Sequence, residues 1–437
     1  MVFLIVVLMT NMNIQPELLK AFADLGFTEW TEIQQKAIPP IQEGKDVIGQ
    51  SHTGSGKTAA FGFPIIEKIE AKRGLQSLIL VPTRELCEQV TQEMRKFAKH
   101  KRTNILSVYG GVSINPQIDR LPQAEIVVGT PGRILDHLNR RTINLSKVRI
   151  LVLDEADKMF EMGFIDDVKD IISYIPQQRQ TLLFSATIST QVHEIVVSYM
   201  KNPVKIKTQS YVDHSKLAQF YYAIGNKDKF SLLMHILGEK VEGLTIVFCA
   251  TRRRVDVIAK NLYKNNVNSI AIHGGLSQNK RKKAIDLFHG KKVDVLVASD
   301  VAARGLDIKN VAQVINYDSA KNSKEYIHRI GRTARAGSEG RVLSLISEPD
   351  HENFNSVLED RSLKVEKLEN PNFTRVAFIV GDRRPDENRG YQGHSQGRGH
   401  SQGRGYSHGH SHSRGGHSSG SHGSGRGNPR RFGVTRQ

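Results

Sequence analysis

Ser51–Thr58 reads Ser-His-Thr-Gly-Ser-Gly-Lys-Thr and follows a short apolar run, Asp46–Gly49. A helical pattern begins at Thr58. Glycines at 54 and 56 let backbone N–H groups approach a phosphate, and a helix N-terminus adds positive potential. The loop Ser51, His52, Thr53, Gly54, Ser55, Gly56, Lys57 and Thr58 is therefore a candidate cradle for a nucleoside triphosphate. Lys57 would reach the β- and γ-phosphates, and Thr58 would hold Mg²⁺. Ser51 stands where the general pattern has glycine. About a hundred residues on, Asp154-Glu155-Ala156-Asp157 closes a second apolar run, Arg149–Leu153. Asp154 would bind the metal, directly or through water, and Glu155 would orient the attacking water. Taken alone, these four residues could cap the next helix. With a phosphate loop upstream they favour a nucleotide hydrolase. Arg332 and Arg335 stand three apart, so one helical turn puts both on one face. Two fixed guanidiniums facing a triphosphate stabilise the charge that grows in the transition state.

These groups need a scaffold that holds them at strand ends. Between Ile14 and about Lys207 the chain alternates short β-branched runs with helical patterns. Asp46–Gly49, Ser77–Val81, Ile105–Tyr109, Glu125–Gly129, Arg149–Asp154 and Thr181–Ser185 read as buried parallel strands, with helices such as Arg84–Lys99 between them. The rhythm restarts near Lys216. Leu244–Cys249, Ser269–His273, Val293–Ser299, Val314–Tyr317 and Val342–Ile346 read as strands, with helices Arg254–Lys264 and Lys280–His289. Two successive βαβ blocks predict an α/β protein of two tandem parallel-sheet domains. The divisions expected are 13–207 and 216–365, a linker at 208–215 and an extension at 366–380. Ligands in such sheets sit at the carboxyl ends of the strands. The phosphate loop lies in the first domain and the arginine pair in the second, so hydrolysis would require the domains to close.

Composition narrows the partners. The 437 residues carry 62 Lys and Arg against 44 Asp and Glu, a net charge of +18, which points to a polyanion. Two cysteines, Cys87 and Cys249, exclude a disulfide scaffold and a multi-cysteine zinc module, and fit a reducing cytoplasm. Both read as small buried residues, and Trp30 reads as a packing residue. Residues 381–437 hold ten Arg, no Lys, 15 Gly, nine Ser and seven His against three acids. Such a tail cannot bury enough apolar surface to offset chain entropy and is expected to be disordered. Its Arg-Gly units with Tyr391, Tyr406 and Phe432 suit nonspecific RNA contact. The irregular spacing of its histidines argues against a folded metal site. Val2–Met9 is apolar but far too short for a bilayer span of about 20 residues. With no flanking cation or cleavage site, residues 1–12 are expected to reflect a start at Met9 or Met12.

Several segments together resemble the DEAD-box ATP-dependent RNA helicases of superfamily 2. The resemblance runs from about Ile14 to about Ile346 and implies two RecA-like domains. Gly26, Phe27, Ile33 and Gln34 resemble its adenine-reading motif, in which Gln34 would bond the adenine edge. Pro82–Leu86, Gly110–Gly111 and Thr130–Arg133 resemble its first set of RNA loops. In that reading Pro82, Thr83, Arg84, Gly111, Thr130, Gly132 and Arg133 contact RNA. So, from the second domain, do Arg252 in Val247–Arg252, Gln278, Arg281 and Ser299. Ser299–Asp307 and His328–Arg335 resemble later motifs, in which Gly305 and Asp307 meet the nucleotide, Asp307 at the ribose. Asp157, Ser185, Thr187, His328 and Arg329 would couple the ATP cleft to RNA. The family usually has proline where Trp30 stands, an aromatic residue where Met9 stands, threonine at Ser299 and glycine at Ala334.

The resemblance implies ATP and Mg²⁺ as cofactors and an RNA-dependent ATPase that opens short duplexes locally. RNA would be single-stranded or a short duplex, read by backbone and 2′-OH with little sequence preference. A monomer without membrane attachment is expected. The alternative is an ATP-timed RNA clamp or annealing chaperone in which the tail dominates. Intact Lys57, Glu155, Arg332 and Arg335 favour turnover.

Overall fold

The structure, a computed structural model, describes residues 12, 14–51, 54–208, 217–239, 241–303, 311–333 and 340–380. The expected tail, all but Thr208 of the linker and all but Met12 of the leader lie outside these residues.

Each half of the chain builds one sheet. The first holds β1 (Val47–Gln50), β2 (Ser77–Leu80), β3 (Ile105–Val108), β4 (Ile126–Gly129), β5 (Ile150–Asp154), β6 (Gln180–Ser185) and β7 (Val204–Lys207). The second holds β8 (Leu217–Ala223), β9 (Leu244–Phe248), β10 (Ser269–Ile272), β11 (Val295–Ala298), β12 (Val311–Asn316), β13 (Gly340–Ile346) and β14 (Glu366–Leu368). Their spatial orders are β3-β4-β2-β5-β6-β1-β7 and β10-β11-β9-β12-β13-β8-β14. Counted from its own first strand, the second order repeats the first, and the strand pairings in both are parallel. The chain is thus a tandem pair of RecA-like lobes.

Helices cover both faces of each sheet, which is why the strands read as continuous apolar runs. In β2, Leu78 and Leu80 join one core cluster while Ile79, with Val81 just beyond, joins the other. In β9 and the residue after it, Ile246 and Phe248 face one cluster, Val247 and Cys249 the other. The helix Arg84–Phe97 starts where Thr83 Oγ1 accepts the Leu86 N–H at 3.3 Å, a cap worth about 1 kcal/mol. It buries Leu86, Cys87, Val90, Met94 and Phe97 on one face. Cys87 and Cys249 are free, buried thiols, each pushed up in pKa by burial. Trp30 is buried against Phe22, with ring centroids 4.1 Å apart, and meets the Phe63 ring edge-on.

Three strands, β7, β8 and β14, had no counterpart among the expected runs. β7 and β14 are edge strands of four and three residues with charged members, and β8 mixes buried, half-buried and exposed side chains. β7 and β14 offer no continuous apolar stretch, and in β8 Gln219 separates Leu217-Ala218 from Phe220–Ala223. β14 also carries the second sheet past residue 365. Beyond it the chain lies over the second lobe: Phe378 packs on Phe230 at 5.0 Å, and the Ile379 backbone exchanges two hydrogen bonds with the Asn261 amide at 2.9 Å.

The repeated strand order sorts the loops. At the carboxyl edge of the first sheet, the adjacent strands β5, β6 and β1 lead into the DEAD, Ser-Ala-Thr and phosphate-loop segments. The adjacent strands β3, β4 and β2 lead into Gly110–Gly111, Thr130–Arg133 and Pro82–Leu86. The second sheet repeats the division, with β10, β11 and β9 leading into Gln278, Ser299 and Arg252.

Candidate active site

The helix Lys57–Lys68 begins at Gly56, which has φ +91°, with Gly54 at +87°. That left-handed backbone turns the loop back towards the helix axis and favours glycine. Gly56 also has no room for a side chain, because a Cβ there would collide with the Gln34 amide. Lys57 is buried and its Nζ donates to the Ser51 carbonyl at 2.9 Å. Ser51 Oγ and Ser55 Oγ lie 2.9 Å apart, and Thr58 follows half-buried. His52 and Thr53 lie outside the described residues.

Gln34 braces this loop. Its Nε2 donates to the Gly56 carbonyl at 3.1 Å and its Oε1 accepts the Thr31 N–H at 2.9 Å. Thr31 Oγ1 donates to the Ser55 carbonyl at 2.9 Å. The residue expected to read adenine is therefore also a strut between the helix Glu32–Gln42 and the phosphate loop.

Asp154 ends β5 and is fully enclosed. Burial pushes its carboxyl up to about 7 against the pull of Lys57. Its Oδ1 accepts the Glu155 N–H at 2.9 Å. Glu155 sits in the left-handed region, φ +50°, which turns its side chain out of the strand line. Its Oε1 takes the buried Lys158 Nζ at 2.7 Å, while its buried Oε2 has no hydrogen-bond partner among the described residues. Burial raises the Glu155 carboxyl, but Lys158, Lys57 and Arg332 together outweigh it and leave it below the usual range. Arg332 comes from the second lobe and is itself buried. The two lobes thus meet across this acidic strand end.

Asp157 links two of the strand ends. Its Oδ2 accepts both the N–H and Oγ1–H of Thr187 at 2.9 Å, and its own N–H donates to Ser185 Oγ at 3.3 Å. Burial raises its carboxyl, but Lys158, the Thr187 bond and His328 bring it below the usual range. His328 therefore bears on Asp157 from the second lobe. Arg329 turns inward instead. It is fully buried, makes a two-pronged pair with Asp300 at 2.6 and 2.8 Å, and donates to Asn316 and the Asp318 carbonyl. Between the lobes, Lys324 in the helix Ser323–Ile330 also pairs with Glu161, just past Asp157. Gly305, Asp307 and Arg335 lie outside the described residues.

The other half of the carboxyl edge presents backbone and cations. Gly111, φ +81°, is exposed beneath the Arg84 guanidinium, leaving no space for a Cβ. Arg133 Nη2 donates to the Val112 carbonyl at 3.0 Å, and its buried Nη1 lacks a hydrogen-bond partner among the described residues. Pro82, Thr83 and Thr130 line the same edge, with Gly132 exposed beside them. In the second lobe, Arg252 is exposed against Gly274, and Ser299 is buried at the end of β11. Gln278 and Arg281 do not face open solvent. Gln278 Nε2 donates to Glu85 Oε1 at 3.1 Å and Arg281 pairs with Glu85 Oε2 at 2.8 Å, so both cross to the first lobe.

Residues 31–195 match the DEAD/DEAH box helicase family model, and residues 228–337 match the helicase conserved C-terminal domain. The ATP-dependent RNA helicase CshA of Listeria monocytogenes is 45% identical over 359 residues, 81% of this chain and 69% of that protein. This chain belongs to the DEAD-box RNA helicases. Another similar relative, the DEAD-box ATP-dependent RNA helicase CshA of Bacillus subtilis, is 43% identical over 83% of this chain and 74% of its own. Among solved structures, S. cerevisiae Dbp5 bound to RNA and ADP BeF3 superposes with TM-score 0.75 at 30% identity, covering 82% of this chain and 94% of that one.

Four residues of this DEAD-box site went unnoticed in the sequence. Thr31 had a readable signal, because Thr-x-x-Gln is a capping box. Lys158, Glu85 and Asp300 were given no role: Lys158 follows the DEAD segment and the other two lie inside named motifs, but only the folded packing shows that each is buried or paired.

Proposed function

We propose that this DEAD-box helicase hydrolyses ATP when RNA draws its two lobes together, and uses the cycle to open short duplexes locally. One observation carries the reading: Arg332 of the second lobe lies beside Glu155 of the first, on the edge where the phosphate loop, Asp154 and Ser185 converge. ATP would lie along this edge. Backbone N–H groups of the phosphate loop hold the phosphates, and Lys57 leaves the Ser51 carbonyl to reach them. Gln34 reports on the base while keeping its bond to Gly56, so nucleotide occupancy and loop shape are linked.

The donor set fits Mg²⁺. A buried carboxylate at Asp154 needs a cation to stay charged, and the Thr58 hydroxyl stands at the helix start nearby. When bound, Mg²⁺ would neutralise charge on the phosphates. Glu155, its Oε1 held by Lys158, turns the free Oε2 to the attacking water. Arg332, with Arg335, stabilises charge developing on the transferred phosphoryl group. Hydrolysis weakens the hold of Arg332. Asp157, through Thr187 and Ser185, passes the change across adjacent strands.

RNA would cross the other half of the edge over Arg84, Gly111, Thr130, Gly132 and Arg133, then Arg252 and Ser299. The exposed glycines and cations suit sugar and phosphate, not base edges. Gln278 and Arg281 serve this path indirectly, by tying the second lobe to Glu85 beside Arg84. The tail at 381–437 would tether RNA and raise its local concentration. No described helix is long and apolar enough to cross a membrane. A monomer in the cytoplasm fits the two buried free thiols. The test is strand separation of a short RNA duplex by the full chain. ATP should release the strand, and neither ADP nor Glu155→Gln with ATP should. Release independent of nucleotide would favour annealing and exchange by the tail.

A further inference from the structure

Between positions 280 and 292 the chain carries Lys280, Arg281, Lys282, Lys283, Lys291 and Lys292 against one carboxylate, Asp286. Arg281 is buried on Glu85. The five lysines are exposed, and none makes an ion pair among the described residues. Other surface cations lean on a neighbour: Lys36 on Glu32, Lys99 on Asp24, Arg140 on Asp136. Here five like charges crowd one helix and the turn after it, an arrangement that repels itself until a polyanion arrives.

Shape selects the side on which that polyanion would lie. Lys282, Lys283 and Lys292, with Asn279, Asp286 and Leu287, line a shallow hollow of about 380 Å³. The adjoining flank of the helix Gln278–His289, which shares Lys282 and Asp286 with the hollow, borders a cleft of about 480 Å³ where Glu88 and Glu93 of the first lobe stand beside Lys96 and Lys291. Phosphate meets mixed charge in the cleft, but three lysines against one carboxylate in the hollow. The helix starts at Gln278, which touches Glu85 beside Arg84, and its 12 residues run about 18 Å outward from there. The hollow thus begins at Asn279, beside the RNA-facing edge, and follows the helix back to Lys292, just ahead of β11.

We infer that this hollow is a second phosphate-binding surface that holds the RNA strand after it leaves the motif loops. It takes backbone phosphates and not bases. Its cations are point charges on flexible stems, and no aromatic side chain lines it among the described residues. A face of merely solvated lysines would account for the charge, but not for its convergence on a concavity beside the RNA path. The inference rests on RNA being the substrate, and it predicts a dependence on RNA length.

The test uses the full chain with Lys282→Gln, Lys283→Gln and Lys292→Gln combined. The readout is the RNA concentration giving half-maximal ATPase, across a fourfold range of salt. One RNA fills only the motif loops; the other is several times longer. The variant should match wild type on the short RNA and bind the long one more weakly. Its slope of log affinity against log salt on the long RNA should be shallower by about 2, from three lost contacts at about 0.7 each. Over that salt range the wild-type advantage should then shrink more than tenfold. Arginine at the same three positions should restore long-RNA binding. Unchanged long-RNA affinity and slope would overturn the inference and leave the hollow to an acidic protein segment. Equal weakening on both RNAs would also overturn it, because the lysines would then act through the motif loops. If neither RNA stimulates the wild type, the RNA reading itself fails and takes the inference with it.

Discussion

Lys57 and Lys229 occupy the same place in the repeated topology. Each is the first residue of the helix that follows the first strand of its sheet, and each is buried. Their partners differ. Lys57 is held by the Ser51 carbonyl, in a loop whose Gly54 and Gly56 adopt positive φ. Lys229 is reached through Gly225-Asn226-Lys227-Asp228, without such a loop. Its Nζ pairs with Asp350 at 2.9 Å and lies 3.9 Å from Asp318, just past β12. β12 is the counterpart of β5, so Asp318 stands near the position that Asp154 holds in the first lobe. One lobe thus leaves its lysine available to a triphosphate, while the other neutralises the equivalent lysine with its own carboxylates. The fold is shared and the chemistry resides in the loops grafted on it.

This contrast can be broken most sharply by mutation at the two lysines. Lys57→Ala should cut RNA-stimulated ATPase by at least roughly 100-fold and leave the urea midpoint unchanged. A large loss of stability there would mean that Lys57 is structural, like its counterpart. Lys229→Met should do the reverse. It strands Asp350, and unfolding in urea should report about 3–5 kcal/mol of lost stability. Adding Asp350→Asn should recover most of that, since both charges are then gone. If the double variant is no better than the single, the pair is not the reason for the burial.

Smaller effects sharpen the picture of the first lobe. Lys158→Met should lower kcat for ATP by roughly 10-fold or more by releasing Glu155, with KM nearly constant, and Lys158→Arg should rescue it. A rise in KM alone would place Lys158 in nucleotide binding instead. The smallest effect concerns acid stability. Burial raises Asp350, but Lys229, with bonds from Ser319 and Ser347, brings it below the usual carboxylate range. Its contribution is complete above the unfolded value near 4 and is lost as pH falls through the lowered folded value. In Asp350→Asn the acid limb of the stability profile should therefore be flatter than in wild type.

The sequence disclosed the chemistry before the packing. The phosphate loop, the DEAD segment and most strands were legible because fully buried parallel strands are short, apolar and bounded by loop residues. Their ends moved by one to three residues, as for Val314–Tyr317, which became Val311–Asn316. β7 and β14 were missed because short, half-exposed edge strands carry no such pattern. Residue types also named Gln278 and Arg281, but not their partner: only the folded chain sets Glu85 against them. Arg329 is similar. Its place in a motif was visible, and its inward pairing with Asp300 was not.

The central claim is that ATP turnover needs both lobes and RNA. Steady-state ATPase of the full chain, with and without single-stranded RNA and with Glu155→Gln as the control, tests it most directly. The account predicts low basal turnover, strong stimulation by RNA and weak stimulation by DNA, all lost in Glu155→Gln. Turnover that is equally fast without RNA would contradict it, because closure by RNA could then no longer be what brings Arg332 to Glu155.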